Sequence, residues 1–269
     1  MNTVIHCQFI GGRRVPTAGS HPAVRHGPFR TSRNRSGTNP RSFFMKRNTI
    51  IAAFACFCVV LVSHVLADEG PETEIFDRAS IDQFDFFLDE NGRKADVFSF
   101  VGDETLRISG KPFGWLATQK EYKNFKLEVE YRWPSGSAAT NSGVFLRMNG
   151  TSPNFLPRGF EIQLAHGSAG DIYGFHGMGL SGEKGRYTED PNNKLSGHLR
   201  GVKKFRDAER APGQWNKLKV YCFEGMIVVW MNDKIVNWAH DAEIVPGKIG
   251  FQSEGGPIEF KDAEITELY

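Results

Sequence analysis

The sequence predicts an all-β fold, an antiparallel sandwich or jelly roll, and three observations support this class. Short runs of alternating apolar and polar residues recur from Glu72 onward, separated by Gly, Pro, Asn and Asp. No segment carries the apolar repeat of a long helix, and Ser80–Leu88 offers at most a turn or two. About 200 residues built from a dozen short strands are typical of one two-layer β domain.

The clearest strand signal runs from Phe125 to Trp133, where apolar and charged residues alternate strictly. This alternation predicts a strand with one buried and one solvated face. The run Met226–Met231 is apolar on both faces, which predicts a central strand, and Asn232-Asp233 after it predicts a hairpin turn. Gly177–Gly213 is long, charged and Gly-rich, so it is predicted to be either a lid beside a site or a solvated insertion.

The N-terminal part of the chain has the composition of a targeting region. Residues 45–67 combine a basic start, an apolar run and a small-residue end, which predicts a cleaved signal peptide and a secreted or periplasmic protein. A membrane anchor is the alternative. Residues 1–44 have no apolar period and are predicted to be a disordered or mis-annotated upstream extension. The folded domain is then residues 72–269, with no membrane association after signal cleavage.

Charge and cysteine content narrow the function classes. The formal net charge is +2, and much of the positive excess lies before residue 48, so nucleic-acid binding has little support. Cys222 is the one cysteine outside the predicted signal region and its upstream extension. Its place in an apolar strand predicts a buried thiol rather than a nucleophile.

Two neighbouring segments carry the most informative polar pattern. Read with period 2, Ser142–Met148 places Val144, Leu146 and Met148 on one face, and Phe160–Ala165 likewise buries its apolar residues. The opposite face would carry Arg147, Glu161 and Gln163 together. Hydrogen-bonding groups fixed on a rigid sheet suit a polar ligand such as a sugar.

Several short motifs occur in a fixed order along the domain. They are Gly-Trp-Leu (114–116), Glu-Tyr-x-Asn-Phe-x-Leu (121–127), Glu-Tyr-Arg (130–132), Asn-Ser-Gly-Val-Phe-Leu-Arg (141–147), Gly-Phe-Glu-Ile-Gln (159–163), Pro-Gly-Gln-Trp-Asn (212–216) and Ile-Gly-Phe-Gln-Ser-Glu-Gly-Gly-Pro-Ile-Glu-Phe (249–260). In this order they make the chain resemble the 3-keto-disaccharide hydrolase domain family from Ile75 to Leu268.

The resemblance implies a concanavalin A-like jelly roll of two curved sheets, with a sugar site on the concave face. It also implies a secreted bacterial protein that acts on 3-keto-glycosides, often beside oxidoreductases that make the ketone. The chain departs from the family pattern at two places. Where the family often has Glu-x-Gln-x-x-Asp, this chain ends in His166, and it has Gln252-Ser253-Glu254 where Gln-x-His is frequent.

The chemistry that the resemblance implies sets requirements for the site. A ketone at C3 of a sugar acidifies the proton at C2, so a base can remove it while the C1 substituent leaves, and water then completes net hydrolysis. The reaction needs a base, a donor or cation at the enolate oxygen and an acid for the leaving group. It does not need the paired carboxylates of ordinary glycosidases.

Three residues are the predicted catalytic groups. Arg147 is predicted to bind the enolate oxygen, because its charge is permanent and its fork can grip two oxygens; a structural ion pair is the alternative. Glu161 is the first candidate base, and a solvated strand carboxylate is its alternative reading. His166 is the second candidate base by its intrinsic pKa, and a structural role is again the alternative.

Further side chains are predicted to bind the substrate. They are Gln163, Glu130, Asn141, His176, Gln252 and Glu254. No cofactor is certain. A divalent metal is possible, with Glu130, Glu161, His166 and His176 as oxygen and nitrogen donors, but their spacing is not diagnostic.

The sequence therefore predicts a secreted protein that binds an oxidised, 3-keto oligosaccharide or glycoside and cleaves it by elimination and hydration. A non-catalytic carbohydrate-binding module on the same fold is the alternative, because such sandwiches host both functions. A protein-interaction domain is the third hypothesis, and it would present an apolar surface patch.

Overall fold

The computed structural model describes residues 69–76, 80–102, 104–151 and 153–269. The predicted signal peptide (45–67) and upstream extension (1–44) lie outside these residues and stay predictions. Within the described ranges, no helix combines the length and the apolar character needed to cross a bilayer.

Strands dominate the described part of the chain. They are β1 (Glu69–Glu74), β2 (Asp85–Leu88), β3 (Phe98–Val101), β4 (Thr105–Ile108), β5 (Gly114–Tyr122), β6 (Phe125–Arg132), β7 (Gly143–Met148), β8 (Gly159–Gln163), β9 (Ile172–Phe175), β10 (Tyr187–Asn193), β11 (Gly197–Val202), β12 (Asn216–Phe223), β13 (Met226–Met231), β14 (Lys234–Ala239), β15 (Gly247–Ser253) and β16 (Ile258–Leu268). The helical segments are one turn long: two 3-10 helices, Ile81–Gln83 and Asp89–Asn91, and α1 (Lys94–Val97).

The strands form two antiparallel sheets. Sheet I has the order β14-β13-β12-β6-β16-β4-β3, with β1 also paired to β16. Sheet II has the order β10-β11-β9-β8-β7-β15-β5-β2. Each sheet combines hairpin neighbours, such as β7-β8-β9, with neighbours distant in sequence, such as β6-β16 and β7-β15, as in a jelly roll, so the predicted fold class is confirmed.

The core lies between the two sheets. Strand β6 shows how it is built: Leu127 and Val129 are buried, whereas the charged residues between them face outward. From sheet II, Val144 and Ile162 face the same core. Cys222 also lies there, and burial raises the pKa of its thiol to about 11, so the predicted core cysteine is confirmed.

Local signals were read correctly at the β13–β14 hairpin. Asn232 and Asp233 both have positive φ, 50° and 63°, which is the backbone of the turn that matches the strand twist. The segment Ser80–Leu88 contains one turn of 3-10 helix, capped by Ser80, and then strand β2.

The segment Gly177–Gly213, predicted to be a lid or a solvated insertion, contains the β10–β11 hairpin at the edge of sheet II. Strand β10 is exposed along most of its length, so its sequence carries no apolar alternation. Met226–Met231 is not central: it lies next to the edge strand of sheet I, and its outward-facing residues are half-buried.

Candidate functional site

The outer face of sheet II is the surface on which polar groups converge. Val144 and Ile162 face the core, so the residues beside them face outward. Cross-strand pairing places Phe145, Glu161 and Tyr173 in one row across β7, β8 and β9. Glu161 is thus the polar residue of this row, between two aromatic residues.

Four polar side chains form what we call the polar cluster: Glu161, Glu254, Asn141 and Gln252. Gln252 pairs with Trp115 across β15 and β5, and Asn141 forms a bridge with Glu254 just beyond the strand ends. Asn141, Gln252 and Glu254 were predicted as substrate-binding residues, and the structure brings all three onto the face that carries Glu161.

Gly143 creates the space that the Glu161 carboxylate occupies. A Cβ atom at position 143 would lie 2.1 Å from Glu161 Oε1, which no side chain can tolerate. The carboxylate therefore lies across strand β7 rather than in solvent, and its side chain is only 2% exposed. The glycine in the Asn-Ser-Gly motif is explained by this close approach.

The two carboxylates of the polar cluster have different electrostatic environments. Burial raises the pKa of Glu161 well above its usual range, and the charges of Glu254 and Asp171 raise it further. Burial also raises the pKa of Glu254, to about 7, while the amides of Asn141 and Gln252 partly offset the rise. Burial therefore favours the neutral form of Glu161, and Glu254 has a pKa at which a proton is readily gained or lost near neutral pH.

Several buried polar atoms around this cluster lack a hydrogen-bond partner. They are Glu161 Oε1, Asn141 Oδ1, the Nε2 and Oε1 atoms of Gln252, and Trp115 Nε1. An unsatisfied buried polar group costs about 1–3 kcal/mol. Such a concentration of donors and acceptors on one surface suits a ligand that carries several hydroxyl or carbonyl oxygens.

A second polar group lies beside Glu161, around Tyr173. Lys203 Nζ donates to Tyr173 Oη at 2.5 Å and to Asp171 Oδ2 at 2.7 Å. The Tyr173 hydroxyl is also 3.3 Å from the same Asp171 oxygen. Asp171 is buried and accepts a main-chain hydrogen bond from Lys204, so the group is rigidly held.

Tyr173 and Glu161 lean away from each other. A Cβ atom at Gly201 would lie 2.9 Å from Cε1 of the Tyr173 ring, so the ring lies over strand β11. Glu161 leans the other way, over Gly143. Adjacent strands place the two Cα atoms about 5 Å apart. From there the two side chains point in opposite directions, so the carboxyl and the phenol lie on opposite sides of a short gap.

Aromatic side chains border the polar groups. Trp115 stacks on Phe87 with ring centroids 6.1 Å apart, and Tyr173 stacks on Phe175 at 6.3 Å. Phe155, from the loop between β7 and β8, packs onto the same face. Apolar walls with a few convergent polar groups are characteristic of small-ligand sites.

The prediction that Arg147 shares this face with Glu161 is wrong. Between its pairs with Gly250 and Lys248, strand β7 has one residue more than β15, and Arg147 takes a positive φ of 48° in this bulge. The bulge turns the Arg147 side chain away from the outer face. Phe145 and Met148 both face outward as a result.

The Arg147 guanidinium is a structural group. It is fully buried and donates to the main-chain oxygens of Lys123 (2.7 Å), Glu243 (2.7 Å) and Glu224 (3.0 Å), and to Asn124 Oδ1 (3.2 Å). Lys123, Asn124 and Glu243 lie in connections between the two sheets, and Glu224 lies in the β12–β13 turn of sheet I. Arg147 therefore ties the loops at one end of the sandwich, and none of its four hydrogen bonds is directed to the polar cluster.

Two further predicted residues also lie away from the polar cluster. Glu130 is on the outer face of sheet I, where its carboxylate pairs with Lys261 at 3.0 Å. His166 lies past the end of β8, and its Nδ1 is 2.9 Å from Glu209, whose other oxygen accepts from Tyr131. The alternation of side chains along β6 places Glu130, and the direction of the turn after β8 places His166.

The remaining predicted residues lie at the border of the site. Gln163 follows Glu161 on the same face, but its Oε1 accepts from the main-chain N–H groups of Leu164 and Ala165 and so caps the strand. His176 Nε2 lies 3.0 Å from the main-chain oxygen of Leu156, next to the aromatic wall.

The predicted metal donors do not converge. In the part of the chain that the structure describes, the one group of three or more carboxylate, imidazole or thiol ligands is Glu72, Glu74 and Glu264, on sheet I. It shares no member with the set Glu130, Glu161, His166 and His176. The structure thus offers a possible acidic metal site, at a different place from the polar cluster.

Tyr173, Lys203 and Asp171 were not among the residues predicted from the sequence. A period-2 reading of 171–175 does put Asp171 and Tyr173 on one face, and that signal was available. Their partner Lys203 is 30 residues from Tyr173 along the chain and belongs to the hairpin predicted to be a loop.

The fold is a two-sheet jelly roll, and a cluster of buried polar side chains lies on the outer face of one sheet. The sequence model of the 3-keto-alpha-glucoside-1,2-lyase-like domain matches residues 71–266, and the chain belongs to this family. Comparison with curated proteins found no match.

Solved structures share the fold. Two crystal structures from Parabacteroides distasonis ATCC 8503, each described as a "putative glycosyl hydrolase", are 21% identical to this chain. The first has a TM-score of 0.52 and covers 74% of this chain and 94% of its own, and the second has 0.50, 74% and 100%. The carbohydrate-binding module CBM66 from Bacillus subtilis has a TM-score of 0.48 at 10% identity, over 62% of this chain and 90% of its own.

Proposed function

We propose that this protein cleaves the glycosidic bond of 3-keto-glycosides by elimination and hydration, on the outer face of sheet II. The observation that carries the proposal is the pair Glu161 and Glu254. These two buried carboxyls lie on one face in different environments, and the pKa of each is raised. Titratable pairs of this kind are how active sites separate an acid from a base. Membership of the family supports the same reaction class.

Glu254 is the base in this proposal. Its pKa of about 7 lets it accept a proton from C2 of the sugar near neutral pH. Glu161, held neutral by burial, donates a hydrogen bond to the C3 oxygen, where negative charge collects in the enolate. Glu161 thereby replaces Arg147 in the predicted role of enolate donor.

Tyr173 is the acid for the leaving group. Removal of the C2 proton leaves a C2=C3 enolate. When C3=O re-forms, a C1=C2 double bond forms, the C1–O bond breaks, and the leaving oxygen takes the phenol proton. Lys203 donates to the phenol oxygen and stabilises the charge left on it. In hydration, water returns a proton to Tyr173, its oxygen adds to C1, and Glu254 returns its proton to C2.

The experiment that tests the proposal uses pairs of 3-keto-glycosides and their unoxidised parents. We expect aglycone release from the oxidised member alone, because only the ketone acidifies C2. Turnover of both members at equal rates, or of neither, contradicts the proposal. A chelator arm tests the predicted metal requirement in the same assay.

Non-catalytic carbohydrate binding is the second candidate, and the unpartnered polar atoms between aromatic walls favour it. Under this alternative, oxidised and unoxidised sugars bind alike and neither is consumed. Secretion or export to the periplasm is part of either proposal, supported by the pattern of residues 45–67.

A further inference from the structure

The outer face of sheet I carries an acidic group where the first and last strands meet. We call Glu72, Glu74 and Glu264 the acidic cluster. Glu74 pairs with Glu264, and Glu72 with Thr266, across β1 and β16. Ile265 faces the core, so Glu264 and Thr266 on either side of it face outward. Ligand oxygens of the three carboxylates lie within 4.8 Å of one another.

The acidic cluster differs from the other carboxylates on this face. Glu128 pairs with Lys217 and Glu130 with Lys261, so those charges are compensated. Among the described residues, no Lys, Arg or His lies within 4.0 Å of a carboxylate of the acidic cluster, by contrast. Three carboxylates at this spacing repel one another unless a proton or a cation lies between them.

Thr266 supplies a second, independent observation. Its side chain is 2% exposed, and its Oγ1 has no hydrogen-bond partner. It stands on the same outward side of β16 as Glu264, directly across from Glu72. A buried hydroxyl oxygen beside three carboxylates is a further ligand for a hard cation, and binding would remove the cost of leaving it unsatisfied.

We propose that Glu72, Glu74, Glu264 and Thr266 bind a calcium ion that joins β1 to β16. The donor set contains only oxygen, which suits calcium or magnesium and disfavours zinc. Calcium accepts irregular and variable oxygen coordination, whereas magnesium demands near-ideal octahedral geometry, so carboxylates on the surface of two strands suit calcium better. The partly exposed site also leaves positions for water.

The surroundings allow ion entry. A depression of about 190 Å³, lined in part by Glu128, Asp262 and Glu264, opens beside the cluster. The charged groups that face the cluster from the adjacent strand β6 are Glu128 and Lys126.

Calcium titration of the full-length protein, after chelator treatment, tests this site. We expect calorimetric binding at pH 8 and a Tm raised by several degrees in CaCl2, with a smaller rise in equimolar MgCl2. Glu264→Gln should abolish the calcium response yet raise the Tm of calcium-free protein, because it relieves repulsion. Thr266→Val should weaken calcium binding about tenfold or more, since one ligand is lost.

The control is Glu121→Gln, which neutralises an exposed carboxylate on β5 of the other sheet. It should keep the wild-type calcium response. No binding heat at millimolar calcium, or equal responses in the wild type and Glu264→Gln, overturns the proposal. Glu74→Gln provides a second variant with the same expectation as Glu264→Gln. The result does not bear on sugar cleavage, because the acidic cluster and the polar cluster lie on different sheets.

Discussion

Apart from the acidic cluster, the outer faces of the two sheets place glutamate in opposite environments. On sheet I, Glu259 is gripped by Arg107 and Arg132 at 2.6 and 2.7 Å, and Glu130 pairs with Lys261. On sheet II, Glu161 is buried with one oxygen unpartnered and without a cation beside it. Paired carboxylates add to rigidity, whereas an unpaired buried carboxyl costs stability and is retained where it serves a ligand.

Removing the proposed base should have the largest effect. Glu254→Gln is expected to lower kcat on 3-keto-glycosides by about a thousandfold or more, because the amide cannot accept the C2 proton. Steady-state kinetics with released aglycone as the readout checks this. The matched control on sheet I is Glu130→Gln, which should change kcat by less than about twofold. Equal losses of kcat in both variants would contradict the assignment of catalysis to the outer face of sheet II.

The pH dependence sharpens the same contrast. Glu254 must be ionised to act as a base, so kcat/KM should rise through about pH 7. Stability should run the other way. The folded-state pKa lies above the unfolded value near 4.5, so the contribution of Glu254 to stability falls as pH rises from about 4.5 to 7. Urea unfolding of Glu254→Gln should lack this fall, and an unchanged pH slope would contradict the assignment.

Filling the space over Gly143 should have the next largest effect. In Gly143→Ala the new methyl group occupies the position of Glu161 Oε1, so the carboxyl must move and kcat should fall about a hundredfold. Gly179→Ala is the control, because its Cβ would meet other atoms only at 3.9 Å or beyond. Thermal melts of both proteins separate displacement of Glu161 from unfolding.

Tyr173→Phe should discriminate between leaving groups. Alkyl 3-keto-glycosides need a proton on the departing oxygen and should lose about 10- to 100-fold in kcat, while nitrophenyl glycosides, which leave without one, should lose little. The Phe175 stacking is preserved, so folding should be retained. Tyr221→Phe on sheet I is the control. An equal loss with both substrates would contradict the role of Tyr173 as the acid for the leaving group. It would not bear on Glu254 as the base.

Arg147→Lys should have the smallest effect on activity and a clear effect on stability. Lysine cannot reach the four acceptors that the guanidinium binds, so we expect destabilisation of about 2–4 kcal/mol. The folded fraction should keep kcat within about threefold. Denaturant unfolding measures the stability and steady-state kinetics measures kcat. A large loss of kcat at unchanged stability would show that Arg147 takes part in catalysis.

Particular elements explain where prediction from sequence succeeded. Strand β6 was recognisable because every second residue is apolar over its whole length. The Asn232-Asp233 turn was recognisable because these residues tolerate positive φ. Asn141, Gln252 and Glu254 were found through motifs that resemble a family, and the structure places them around Glu161.

Other elements could not be read from local pattern. The bulge at Arg147 depends on one residue more in β7 than in β15, and the pairing partner lies about a hundred residues away. Strand β10 is an edge strand with both sides exposed, so nothing in its composition marks it as β. The Tyr173–Lys203 contact joins two strands whose adjacency only the folded sheet creates.

Composition and alternation were thus sufficient for the all-β class, the two-layer core and the placement of Glu161 on an outward face, because side-chain direction in a regular strand follows from sequence position alone. Which side chains contact one another was decided only by the tertiary structure. Whether a carboxylate meets a lysine, a glycine or another carboxylate depends on which strands become neighbours, and burial at that position sets its pKa. For this reason Glu130 forms an ion pair with Lys261, whereas Glu161 is a buried carboxyl with a raised pKa.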